Sequence, residues 1–198
     1  MSHPHHRFDA EYYERFYESH ASQVSSVAEV ERLARFVAAY LAHLELPVRR
    51  LLDMGCGLGR WRTIAEDLWP KANYVGVEIS PYLCEKYGWQ QGSADQYRGR
   101  GRFDLIVCQG VLQYLGRQAA QRAVANLARL CRGVLYVEVL TREDWEHNCD
   151  QERTDGDVYL RPAAFYREAL RQHFTALGGG LYLSRDALVT LYELEKLE

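Results

Sequence analysis

Apolar residues recur every third or fourth position at Val27, Val30, Ala34, Val37, Leu41 and Leu44, which places them on one helical face. Pro47 ends that helix or lies just beyond it. The period then changes. Residues 50–54 form a short buried run that enters a glycine-rich turn, and helical spacing resumes over 58–68, stopping before Pro70. Residues 74–78 predict a second strand. Ser80-Pro81 predicts a helix start, with Ser at the N-cap and Pro at N1, and Gly88 ends that helix. Residues 89–92 predict a weaker strand and 103–108 a clearly buried one. A helix follows over 117–132, with Gly133 as its stop, and then a buried strand over 134–140. Residues 162–173 read as helix. Residues 181–183 and 188–194 read as two strands, joined too briefly around Arg185-Asp186 for a crossover helix, so they predict an antiparallel hairpin. The polar stretch 141–161 has no period and reads as a functional insertion.

Strand and helix therefore alternate at βαβ spacing, which predicts an α/β fold with a mostly parallel sheet and helices on both faces. The chain has 198 residues, a length that favours one domain. Its net charge of −3 supplies no basic field for nucleic acid. No apolar run is long enough to span a bilayer, and the polar N-terminus lacks the apolar core of a signal peptide. Five dispersed cysteines without a C-x-x-C pair predict reduced thiols in a cytoplasm and no structural zinc.

In a parallel sheet, ligands bind beyond the carboxyl ends of the strands. The first strand runs straight into Asp53-Met54-Gly55-Cys56-Gly57-Leu58-Gly59. This is G-x-G-x-G preceded by an acid, not the G-x-G-x-x-G of a nicotinamide site, and no Gly-Lys-Ser/Thr ending marks a phosphate loop. The second strand closes on Glu78, where a carboxylate can accept two hydrogen bonds from a ribose diol.

Three runs carry a resemblance: residues 51–60, 75–80 and 103–112 are similar, in order, to the first, second and fourth-strand motifs of class I S-adenosylmethionine (SAM)-dependent methyltransferases. The similarity covers roughly residues 48–140. It implies a Rossmann-like, seven-stranded sheet with an antiparallel last strand, and SAM as methyl donor with S-adenosylhomocysteine (SAH) as product. It divides the chain into an N-terminal aromatic lid and helix (1–45) and a SAM-binding domain (46–198). It implies that Asp53 holds the ligand's amino group and that Gly55, Cys56 and Gly57 contact the methionine part through backbone. Glu78 takes the ribose hydroxyls, Ile79 lies against adenine, and the Gln109 backbone faces the methionine end. Ser93-Ala94-Asp95 stands where many members carry Gly-Asp-Ala, so Asp95 is the substitute for an adenine-edge acid displaced by Ser93.

Methyl transfer from a sulfonium needs alignment more than a fixed catalytic motif. Three regions are expected to build the acceptor pocket: the aromatic segment with Tyr12, Tyr13, Phe16 and Tyr17; Gln113-Tyr114 after the fourth strand; and the insertion. From Glu138 to Asp157 eight acids stand against Arg142 and Arg153, with Trp145, His147 and Tyr159 interleaved, which suits a cationic or amine substrate. Tyr17, Tyr114 and His147 are the candidates to touch the acceptor. The expected function is methylation of a small molecule on nitrogen or oxygen by a monomer or homodimer, without a metal, nucleic acid or membrane as partner. The alternatives are methylation of a macromolecule and a SAM-binding sensor without turnover.

Overall fold

The computed structural model describes residues 8–18 and 26–197, without the side chains of Tyr17 and Glu18. An N-terminal helix α1 (Ala10–Tyr13) continues into a π-helical turn (Glu14–Glu18). Then come α2 (Val27–His43), β1 (Arg50–Met54), α3 (Arg60–Leu68), β2 (Asn73–Glu78), α4 (Pro81–Tyr87) and β3 (Gln90–Gln91). The chain continues through β4 (Phe103–Gln109), α5 (Arg117–Leu130), β5 (Cys131–Glu138), α6 (Arg142–His147), α7 (Ala163–Arg171), β6 (Phe174–Gly178) and β7 (Leu181–Ser184). The strands form one sheet in the order β3-β2-β1-β4-β5-β7-β6. Every neighbouring pair from β3 to β5 is parallel, and β7 runs antiparallel to both β5 and β6.

Side chains on a strand alternate between faces, and two cores result. Leu52, Met54, Ile106, Cys108, Leu135 and Val137 pack under α5 and α7 on one face. Leu51, Leu105, Val107, Val134 and Tyr136 pack under α2 and α3 on the other. The central strands are buried on both sides, which is why they read as continuous apolar runs.

Local capping sets the helix starts. Ser26 Oγ accepts from the Glu29 amide while the Glu29 carboxylate accepts from the Ser26 amide, a reciprocal box at the head of α2. Of the apolar face expected on α2, Val30, Ala34, Val37, Leu41 and Leu44 are buried, but Val27, the first residue of the helix, is 60% exposed. Ser80 and Pro81 occupy the N-cap and N1 of α4, as expected.

Three sequence expectations are corrected. Gly133 is no helix stop, since α5 passes directly into β5 at Cys131. A Cβ at Gly133 would lie 2.1 Å from the Asp104 carbonyl oxygen, so close approach of β4 demands the glycine. The C-terminal hairpin is displaced by one strand: β6 and β7 turn at Gly179-Gly180, and residues 188–194 are not a strand. There Ala187, Val189 and Leu191 lean on the core while Leu188 points to solvent, an alternation that mimics a strand. The insertion is not wholly irregular. It opens with α6, capped by Thr141 and Asp144 in a second reciprocal box. Among the described residues no helix is long and apolar enough to cross a membrane.

Candidate functional site

Strand order reverses between β1 and β4, and a cleft of about 1470 Å³ opens at the carboxyl ends of the strands there. That exceeds the roughly 300–1,000 Å³ of a site for one small ligand.

The turn after β1 forms the floor. The Gly55 and Cys56 amides donate to the Val77 carbonyl at 2.7 and 3.1 Å, which pins the turn to β2. The three glycines serve different ends. A Cβ on Gly55 would lie 2.3 Å from Val111 Cγ2, and one on Gly59 2.7 Å from the Trp89 ring. Gly57 alone faces open space, with φ +50° and nothing within 4 Å of an added Cβ. Trp89 is wedged between Gly59 and Gly76, and its Nε1 donates to the Gly57 carbonyl at 3.0 Å. This indole, which the sequence reading passed over, braces the turn from behind.

Two buried acids flank the floor. Glu78 closes β2, and its Oε1 accepts from the Ile79 and Ser80 amides at 2.8 and 3.0 Å and from the Tyr13 hydroxyl at 3.4 Å. Its Oε2 accepts from the Gly57 amide at 2.9 Å. An ionised carboxylate offers about four lone-pair sites, so Oε2 keeps capacity for a ligand donor. Asp53 Oδ2 accepts from the Tyr74 hydroxyl at 2.5 Å. Burial pushes the Asp53 carboxyl up to about 7; the Glu78 charge adds to the rise and the Tyr74 bond opposes it. The Cys56 and Cys108 thiols are also raised by burial and stay neutral.

The turn at 93–97 is fastened by Asn126, whose amide donates to the carbonyls of Ala94 and Tyr97 at 2.9 and 3.0 Å. Both Asp95 oxygens hold protein donors, Ser93 Oγ at 2.8 Å and Arg122 Nη2 at 2.9 Å. At the tips of β4 and β5 a second network appears. Trp61 Nε1 donates to Gln109 Oε1 at 2.9 Å, which turns the Gln109 amide nitrogen toward Glu138, 3.3 Å from Oε2. The Tyr136 hydroxyl donates to the same Glu138 Oε2 at 2.9 Å.

Every residue expected to hold the cofactor borders this one cleft: Asp53, Gly55, Cys56, Gly57, Glu78, Ile79, Ser93, Ala94, Asp95 and Gln109. Tyr114 does too, its hydroxyl 2.9 Å from that of Tyr12 and its ring edge-on to Phe8. The N-terminal segment thus spans the cleft mouth, with Ser80 Oγ donating to the Phe8 carbonyl at 2.5 Å. His147 is not brought in. Its side chain is 73% exposed, beside Glu146, and it does not border the cleft. The Tyr17 side chain lies outside the described residues. Among those residues no cluster suits a metal ion.

The sequence model of the family described as "Methyltransferase domain" matches residues 20–192. The chain belongs to this methyltransferase family. It is 31% identical over 110 residues to the malonyl-[acyl-carrier protein] O-methyltransferase of Legionella pneumophila, covering 50% of this chain and 39% of that one. It is 31% identical over 108 residues to the trans-aconitate 2-methyltransferase of Deinococcus radiodurans, covering 50% and 41%. The chain thus spans less than half the length of these relatives. Among solved structures, magnesium protoporphyrin IX methyltransferase from Synechocystis PCC 6803 with bound SAH superposes with a TM-score of 0.61 at 18% identity, covering 91% of this chain and 95% of that one. At that identity the likeness speaks for the fold of this methyltransferase-family member.

Proposed function

We propose that this methyltransferase-family chain binds SAM and methylates a nitrogen or oxygen nucleophile on a small molecule. The observation that carries the reading is the pairing of Gly57, whose side-chain space is open cleft, with the Glu78 carboxylate across the same floor. A nucleoside with an amino-acid tail needs these two features: backbone free of Cβ for the tail and a fixed acid for the sugar diol. When bound, SAM supplies a methyl group already activated on a sulfonium. The residues of this chain then have to bind and orient. Glu78 would hold the ribose hydroxyls, Asp53 the amino group, and Gly55, Cys56 and Gly57 the tail through backbone. Ile79 and Ala94 would flank the adenine, with Ser93 and Asp95 at its edge, and the Gln109 backbone would face the tail from β4. Orientation of this kind is worth on the order of 7–11 kcal/mol of barrier.

Residues 8–18 are assigned as a lid, since Tyr13 reaches Glu78 and Tyr12 reaches Tyr114. The lid keeps water from the reacting centre. Tyr114 is the assigned acceptor contact. The curated relatives, named as an O-methyltransferase and a trans-aconitate 2-methyltransferase, keep oxygen among the acceptors to be tried.

Calorimetric titration of SAM tests the reading. Glu78→Ala is expected to weaken binding about 10- to 100-fold, from the loss of one or two hydrogen bonds to a charged group. An unchanged dissociation constant would overturn the ribose assignment. Incubation with pools of amines, carboxylic acids and phenols, read by mass for an added methyl, separates an enzyme from a sensor: binding without product would favour the sensor.

A further inference from the structure

On the strength of the methyl-transfer reading above, we infer that the outer half of the cleft takes an amine, whose N–H groups are received by Glu138 and Gln113. Glu78 and Glu138 close strands three places apart in the sheet. At about 4.8 Å per strand they stand about 14 Å apart, so Glu138 lies at the end of the cleft away from the nucleoside seat. Its carboxylate is exposed to the cleft, yet Tyr136 and Gln109 fix its position. Gln109 is in turn oriented by Trp61. A charge fixed in advance at a ligand site is a recognition element.

The second observation is independent of that charge. Gln113 borders the same cleft and is only 7% exposed, and its Oε1 is buried without a hydrogen-bond partner among the described residues. A buried amide oxygen left unpaired is costly, and a ligand donor that reaches it from the cleft would recover that cost. Its backbone carbonyl is already taken by the Tyr159 amide at 2.9 Å, so the segment is held while the side-chain acceptor waits.

Electrostatics choose among donors. Asp144, Asp150 and Asp155 of the insertion also border the cleft, and Arg153, which faces them, is paired with Asp150 at 3.4 Å. A carboxylate acceptor would meet this acidic wall, and an alcohol brings a single donor. A primary ammonium is drawn to this wall. Once it gives one proton to the Glu138 carboxylate, the neutral amine keeps two N–H donors for the two acceptors. Its lone pair forms the N–CH3 bond as the S–CH3 bond of SAM breaks, and SAH and a methylammonium product remain.

The test uses the SAH-loaded full chain and calorimetry, with phenethylamine, putrescine and glucosamine as probes. Each is run beside its oxygen counterpart (2-phenylethanol, 1,4-butanediol, glucose), with phenylacetate as the carboxylate arm. At least one amine is expected to bind about tenfold or more tightly than its counterpart. Glu138→Gln and Gln113→Leu should each erase most of that preference, while SAH affinity and thermal midpoint stay near those of the wild type. Methylation with SAM should follow the same order. Equal or tighter binding of the oxygen or carboxylate arms, no amine binding, or a preference untouched by both variants would overturn the inference. Failure of the wild-type chain to bind SAH would instead overturn the methyl-transfer reading on which it rests.

Discussion

Asp53 is a carboxyl group sealed at the end of β1, and its consequence is a pH dependence. Burial raises its pKa from 3.8 to about 7, with the Glu78 charge adding and the Tyr74 hydroxyl opposing. Between those two values the folded chain holds a proton that the unfolded chain has released. Folding then takes up a proton, and stability falls as pH rises from about 4 to about 7. Above that window the ionised group costs at most about 4 kcal/mol, at 1.36 kcal/mol for each pKa unit. Asp53→Asn should flatten this part of the thermal-midpoint profile and stabilise the chain most at pH 8. Parallel wild-type and variant profiles in thermal denaturation would refute it. Residues of this kind are legible in sequence because each stands at the end of a buried strand or one residue before it, just ahead of a turn, as Glu78 and Asp53 do. Glu138 holds the same position on β5, yet Val139 and Leu140 prolong the apolar run and hide the strand end. Gln113 stands in an acceptor region that the sequence marks, but the hold on its backbone comes from the distant Tyr159. Trp89 is harder still to find, because its importance arises from Gly59 and Gly76.

Elements were legible where one local rule governs. The Ser-Pro start of α4 and the buried runs of β1, β2 and β4 need no tertiary information. The C-terminal hairpin needed it. Residues 174–178 follow α7 too closely to show their own period, and the alternation at 187–191 comes from packing beside the sheet rather than within it. The glycine turn after β1 is an element with a brace. Trp89→Ala removes the indole between Gly59 and Gly76 and its bond to Gly57, and should cost about 2 kcal/mol or more. SAM affinity should fall with it, because the floor of the cleft loosens. Denaturant unfolding and calorimetry check both outcomes. Helix α6 rests on its cap. Thr141→Ala should cost about 1 kcal/mol, seen as a midpoint drop of about 2–4 °C and faster amide exchange over residues 142–148.

For the molecule as a whole, the N-terminal segment and the insertion meet the sheet at the same end. The segment touches β2 through Tyr13 and the loop after β4 through Tyr12 and Tyr114. Ligand binding at the floor should therefore be felt by the segment that covers it. Hydrogen exchange over residues 8–18 is expected to slow on adding SAM, and Tyr13→Phe should reduce that protection while leaving exchange in β4 and β5 unchanged. Equal exchange with and without ligand would refute the lid.

The position of β7 between β5 and β6 also bears on how the chain is made. β5 is complete at Glu138, but the strand that covers its outer edge begins at Leu181, 43 residues later. At roughly 5–20 residues per second a ribosome needs about 2–9 s to cover that interval. Throughout it, a half-made chain carries a bare row of amides and carbonyls able to pair with its neighbours on the same messenger. The window for aggregation in the cell is thus written into the order in which the strands are encoded.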